Sequence, residues 1–379
     1  MSRLRVAWLG HKSAKAGDGI ITYSREITAG LRARGVDVIF FHHSPELVLD
    51  DGSVALDAVS LSHRIVISRP RAKRMLIDLL RHHDVDLVHA SFSFSSLDFN
   101  LPRVCHELGL PIVATFHVPY DSRFSVWGGI SSALYRIYAQ ALDDCDGVVI
   151  FGDAQRELLV KLGVPKRVVR VLPNGVDVEK YRPGKSRKLA DLGADRIFSY
   201  IGRIDPEKNV DVLVRAFLEA DPPPKLKLVI VGGGADRRRI ERRYKDARVI
   251  FTGVITDEQE RIAILRASDA FFLPSSVEGL SLAMLEAMAC GVATVATDVG
   301  NDGSALRGAG VVIDPEALHG ELRVVIRQLV EMPELCRVLG RLARERAVDR
   351  YSLSRNLDGL IQLYDELVEA ARVKSPAAR

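Results

Sequence analysis

The chain has 379 residues, 47% hydrophobic and 27% charged, with a net charge of +4. That length exceeds what a single core usually serves, so two domains are expected, and the ordinary mixture excludes a disordered chain. Its apolar runs fall far short of the ~20 residues of a membrane-spanning helix, and MSRLRVAWLGH is too short in its apolar part for a secretory signal, so a cytoplasmic protein is expected.

Short β-branched runs alternate with helical stretches along the chain. RVAWLG (5–10) predicts a strand, 20–34 a helix and VDVIFF (36–41) a strand. After a long middle come strands DLVHA (86–90) and PIVATFH (111–117), a helix over 130–142, strand GVVIF (147–151) and a helix over 153–162. A second series begins with IFSYIG (197–202), a helix over 209–220, KLVIVG (227–232) and a helix over 235–245. It continues with RVIFTG (248–253), a helix over 257–267, AFFLP (270–274), a helix over 282–290 and VATVAT (292–297). This alternation implies an α/β fold of two doubly wound, Rossmann-like units, each a parallel sheet covered by helices. Pro173, Asn174, Gly175, Pro183 and Gly184 crowd the segment between the series. They place one domain at 1–173 and a second at 174–350, with a helical tail at 351–379 that returns to brace the first.

Parallel sheets bind ligands beyond the carboxyl ends of their strands, and two such sheets facing each other would form a cleft. Polar residues at strand ends are therefore the candidates. Gly17 and Gly19, between the first strand and helix, allow a sharp bend that brings backbone amides close to a phosphate. Thr22 stands where a dinucleotide fingerprint needs its third glycine, and Arg237 does so in VGGGADR, so a nicotinamide reading loses its support. His117 closes PIVATFH and should point into the cleft. Asp84-Val-Asp86 and Asp144-Cys-Asp146 precede strands and read as helix-to-strand turns, with no metal site expected. Cys105, Cys145, Cys290 and Cys336 lack the close spacing of a disulfide framework or a zinc site and read as small buried hydrophobes. The basic runs Arg69–Arg81 and Arg237–Arg243 read as solvated helix faces.

In GRIDPEKN, Arg203 follows a strand and Lys208 precedes a helix. Two readings stay open: a two-cation clamp for a diphosphate, or a surface pair bonded to Asp205 or Glu207. Ser281 can cap the next helix, leaving the amides of Leu280, Ser281 and Leu282 at its positive end, where Gly279 would not obstruct a phosphate. Gly291 fits the stop after its last turn. Glu286 lies within an otherwise apolar helix, and a buried carboxylate needs a partner. A protein cation, a backbone amide or the hydroxyls of a bound ribose would serve, and Glu278 can likewise hold a sugar.

Taken together these residues resemble the retaining, GT-B-fold glycosyltransferases of family 4. Glu278 to Glu286 matches the family's E-x7-E element, GRIDPEKN its phosphate clamp, PNGVD its interdomain segment and AGDGI its glycine loop. The resemblance implies a nucleoside diphosphate sugar donor, UDP-glucose before GDP-mannose, with no cofactor or metal. It places Glu286 on the ribose, Glu278 on the transferred hexose, and Arg203 and Lys208 on the diphosphate. The amides of Gly279 to Leu282 assist, His117 approaches the sugar, and Val254 contacts the base through its backbone. TDVGNDGSAL departs from the family in carrying Asn301, Asp302 and Gly303 where a double glycine and a downstream acid are usual.

The acceptor is a hydroxyl compound, with a membrane lipid or glycan precursor as candidates. Tyr120, Phe124 and Trp127 can form an apolar lip, with positive charge from Arg123 and Arg136. The basic helix 69–82 has two readings: Met75, Leu76, Leu79 and Leu80 face the inner side of the cell membrane, or they pack on their own sheet. No nucleic-acid partner is expected. The alternatives in function are a nucleotide-sugar epimerase on the same fold and a catalytically silent partner in a glycosylation complex.

Overall fold

The computed structural model describes residues 3–10, 19–44, 53–60, 66–68, 70–92, 95–119 and 126–374. The chain folds as two compact units, one of residues 1–173 with 356–379 and the other of residues 174–355.

The first unit runs β1 (Arg5–Gly10), α1 (Gly19–Ala33), β2 (Asp37–Ser44), β3 (Ser53–Ser60), β4 (Val66–Ser68), α2 (Pro70–His82) and β5 (Leu87–Phe92). It continues with α3 (Leu101–Glu107), β6 (Ile112–Phe116), α4 (Val126–Asp143), β7 (Gly147–Ile150), α5 (Asp153–Lys161) and β8 (Val169–Val171). Among the described residues its eight strands are ordered β4-β3-β2-β1-β5-β6-β7-β8. All pairings are parallel except that of β3 with β4. Every residue of β5 and β6 is buried, as expected of strands covered on both faces. The Asp-x-Asp segments act as the turns their position predicts: Asp86 accepts the Arg5 amide and Asp146 the Ile112 amide, each at 2.9 Å.

One open alternative is decided here, in favour of packing, and one expected boundary is corrected. The face of α2 packs on its own sheet: Leu76 and Leu80 are in the core, with Met75 and Leu79 against it, so this stripe is not available to a membrane. Helix α4 begins at Val126, earlier than the expected 130, because its first turn includes Gly128 and Gly129, which carry no helical signal. Among the described residues no helix is long and apolar enough to cross a membrane. All four cysteines are free and buried.

The second unit runs α6 (Lys188–Asp191), β9 (Arg196–Ile201), a 3-10 turn (Pro206–Lys208), α7 (Val210–Glu219), β10 (Leu226–Val231), α8 (Arg237–Arg243) and β11 (Val249–Gly253). Next come α9 (Glu258–Ala267), β12 (Ala270–Leu273), α10 (Leu282–Ala289), β13 (Ala293–Thr297), α11 (Asp302–Leu306), β14 (Val311–Ile313), α12 (Leu318–Glu331) and α13 (Pro333–Arg350). Helix α14 (Leu353–Lys374) belongs to the first unit from Asn356 onward. The six strands are all parallel, in the order β11-β10-β9-β12-β13-β14. The chain starts in the middle at β9, builds out to β11 and returns to the other side of β9 with β12. The order therefore reverses between β9 and β12, the position at which such sheets open a binding crevice.

Candidate functional site

The loops that leave β9 and β12 converge at that reversal. Asn209, at φ 51°, turns the chain between the 3-10 segment and α7. Its side-chain amide donates to the Pro274 carbonyl at 2.9 Å and to Ser276 Oγ at 2.7 Å. The Ser276 amide returns a bond to Glu207 O at 2.7 Å. These ties hold Lys208 against the second loop, and Lys208 Nζ donates to Glu278 Oε1 at 2.6 Å. Ser275, fully buried, donates its hydroxyl to the same oxygen at 2.8 Å. Glu278 Oε2 accepts no bond from any described residue.

Arg203 takes the alternative the sequence left open: its guanidinium pairs with Asp205 and, at 3.0 Å, with Glu207. Its carbonyl accepts a bond from the Tyr200 hydroxyl, which burial first and the Glu278 charge second push far above the usual phenol range. Arg203 keeps 34% of its side-chain surface exposed, whereas Lys208 keeps 12% and Glu278 16%.

Ser281 caps α10, its hydroxyl accepting the Met284 amide at 3.3 Å, and Gly291, at φ 75°, follows the last turn. The backbone of the preceding loop is divided. Asn301 N–H donates to Gly279 O at 2.7 Å, Asn174 Nδ2 to Leu280 O at 2.8 Å, and Ser281 N–H to Asp302 Oδ1 at 2.8 Å. Ser281 N–H is thus occupied by the protein, a correction to its expected role as an anion donor. The amides of Gly279, Leu280 and Leu282 donate to no acceptor among the described residues.

Glu286 also departs from expectation. It is half-buried, on a strip with Leu282 and Ala283, while Met284, Leu285, Ala287, Met288 and Ala289 are buried. Spacings of three and four residues put those three positions on one side of the helix, so the acid does not lie in a dry interior. Its charge reaches Tyr181, whose hydroxyl is pushed up by burial first and by Glu286 next.

Val254 follows β11 and is 56% exposed. In the first unit, His117 follows β6, half-buried between the ring of Tyr23, edge-on at 4.9 Å, and that of Phe151 at 5.4 Å. Gly19 is the first residue of α1 instead of a loop residue, and among the described residues nothing lies within 4 Å of the position of its missing Cβ. Trp127 lies in the first turn of α4, while Gly17, Tyr120 and Arg123 lie outside the described residues. Sequence reasoning did not single out Ser275 or Asn209, and read Asn174 only as a turn residue between the domains. They bind backbone and site side chains through single polar groups that leave no periodic signal.

Solved structures share this architecture over nearly the whole chain. Sucrose-phosphate synthase from Thermosynechococcus elongatus has a TM-score of 0.76 at 24% identity, covering 97% of this chain and 100% of that one. Anabaena HepE in complex with UDP-glucose has a TM-score of 0.76 at 17% identity, covering 96% and 100%. The fold is therefore GT-B.

The family profile described as Glycosyl transferases group 1 matches residues 183–346, and that described as Glycosyltransferase Family 4 matches residues 17–180. D-inositol 3-phosphate glycosyltransferase of Saccharomonospora viridis is 31% identical over 317 residues, 76% of this chain and 71% of that protein. The UDP-Gal:alpha-D-GlcNAc-diphosphoundecaprenol alpha-1,3-galactosyltransferase of Escherichia coli is 26% identical over 341 residues, 84% of this chain and 86% of that protein. The chain belongs to the family 4, group 1 glycosyltransferases.

Proposed function

We propose that the protein is a retaining glycosyltransferase that moves a hexose from a nucleoside diphosphate sugar, UDP-glucose before GDP-mannose, to a hydroxyl acceptor without a metal. The observation that carries this reading is the grouping of Lys208, Glu278 and the open amides of Gly279 and Leu280 where the strand order reverses. An ammonium group has three donors, and Glu278 uses one, so Lys208 can take phosphate oxygens while staying paired. Glu278 Oε2 is left for a sugar hydroxyl, and Arg203 shares the diphosphate charge with its remaining donors. The assignments of Glu286 to the ribose and of His117 to the sugar rest on the family resemblance.

As the bond from the anomeric carbon to the phosphate oxygen breaks, its electron pair passes to the diphosphate. Lys208, Arg203 and the two amides are the fixed donors that would meet that charge. The acceptor oxygen bonds to the same carbon on the same face, and its proton passes to the departing phosphate. The E. coli relative takes its sugar from UDP, which favours uridine diphosphate as the carrier. The S. viridis relative acts on an inositol phosphate, and the E. coli relative on a diphosphate-linked lipid. The alpha-maltose-1-phosphate synthase of Mycolicibacterium smegmatis, 26% identical over 308 residues, makes a sugar phosphate. A phosphate-bearing hydroxyl compound is therefore the acceptor class.

A thermal-shift panel of UDP-glucose, UDP-galactose and GDP-mannose, followed by donor hydrolysis, tests the reading. A ligand at ~100 times its dissociation constant adds about 2.7 kcal/mol to stability. Stabilisation by none of them, with no turnover, sinks the proposal; release of an altered nucleotide sugar without acceptor replaces it with an epimerase.

A further inference from the structure

The segment Val299–Asp302 grips the loop that carries the open amides. Gly300, at φ 56°, lies so close to that loop that a Cβ would stand 2.0 Å from the Glu278 carbonyl oxygen. Beside it Asn301 N–H holds Gly279 O, and Asp302 Oδ1 holds Ser281 N–H at 2.8 Å. Asp302 has 0% of its surface exposed, and its Oδ2 is buried with no hydrogen-bond partner in the structure. Glu278, Lys208 and Tyr351 are the titratable groups that act on it or feel its charge, with Asp298 against the neighbouring Gly303.

We propose that Asp302 is a positioning residue of the donor site, fixing the Ser281 amide so that the Gly279 and Leu280 amides stay turned toward the donor's diphosphate. The inference rests on the donor reading above. Asp302 does this as a neutral acid: burial first and the Glu278 charge second drive its carboxyl well above the usual range, against the opposing pull of the Ser281 amide and Lys208. Its Oδ1 is then the carbonyl oxygen that accepts Ser281 N–H, and residue 302 adds no negative charge of its own beside Glu278 to repel the phosphates. The chemistry needed at residue 302 is one neutral acceptor of the right reach, which an asparagine also supplies.

Titration calorimetry of the full chain with UDP, and with GDP in parallel, tests this through Asp302→Asn and Asp302→Ala. Asp302→Asn should bind UDP within about threefold of the parent, and Asp302→Ala about tenfold more weakly, the scale of one lost hydrogen bond. Asp302→Ala binding as tightly as the parent, or Asp302→Asn failing as badly as Asp302→Ala, overturns the proposal. Should Asp302→Ala not fold, affinity from about pH 6 to 8 decides: parent and Asp302→Asn should run parallel, and an ionisation present only in the parent overturns the assignment. If the parent binds neither UDP nor GDP, the donor reading itself fails.

Discussion

Lys208 and Glu278 neutralise each other across 2.6 Å in a nearly closed setting. In the free protein the lysine screens Glu278; on the proposed reading it would face the leaving phosphate once donor is bound. Lys208→Ala should therefore do two things at once. It should lower the melting temperature of the ligand-free protein, because a mostly buried carboxylate loses its cation. It should also cut donor turnover by roughly 10²-fold or more, as for loss of one oriented electrostatic contact. Near-normal turnover in steady-state assays would remove Lys208 from the mechanism. Both residues stood out in the sequence by their chemistry, but their bond did not, because it joins positions 70 apart that meet only through the adjacency of β9 and β12. Glu286 shows the opposite limit. Apolar neighbours along the chain predicted burial, whereas exposure is set by which strip of α10 is left uncovered, a property of the packing around it.

At the scale of elements, strands covered on both faces were legible because they form continuous apolar runs between turn residues, as with IFSYIG and KLVIVG. β3 and β4 were not, since β3 mixes Ser and Asp with its apolar residues and β4 has three residues, too few for a period. The reversal between β9 and β12 explains why three loops, after β9, β12 and β13, share one site. Two glycines in these loops have different duties, and alanine substitution should separate them. Gly300 has a left-handed backbone and carbonyl oxygens at 2.0 and 2.7 Å from where a Cβ would be. Gly300→Ala should cost at least about 2 kcal/mol in urea unfolding, from strain and forced separation of the loops. Among the described residues nothing lies within 4 Å of the corresponding point at Gly279. Gly279→Ala should leave the unfolding midpoint in place and weaken UDP binding, because the methyl group occupies the approach to the amides. Equal losses of stability in both variants would refute this division.

At the scale of the whole molecule, the last helix is a structural part of the first unit and not a trailing appendage. Leu357, Leu360, Leu363, Tyr364 and Val368 of α14 are all buried. The Tyr364 hydroxyl bonds His89 Nδ1, whose Nε2 bonds Thr115 Oγ1 at 2.7 Å while Trp8 stacks on the ring at 4.0 Å. Burial holds the imidazole neutral, its pKa lowered to about 3, so the network adds no charge to the core. Five buried apolar side chains stabilise by about 10 kcal/mol as an upper bound. A whole domain is typically stable by only about 5–15 kcal/mol. A chain ending at Arg355 should therefore lose the cooperative unfolding of its first unit, with residues 1–173 becoming sensitive to trypsin. The second unit keeps every residue of the Lys208–Glu278 cluster, so calorimetry of the shortened chain should still show one transition that UDP raises. Loss of that transition as well would mean that the second unit depends on the first for its own stability. Retention of both transitions would show that the contacts of α14 contribute far less than their buried area implies.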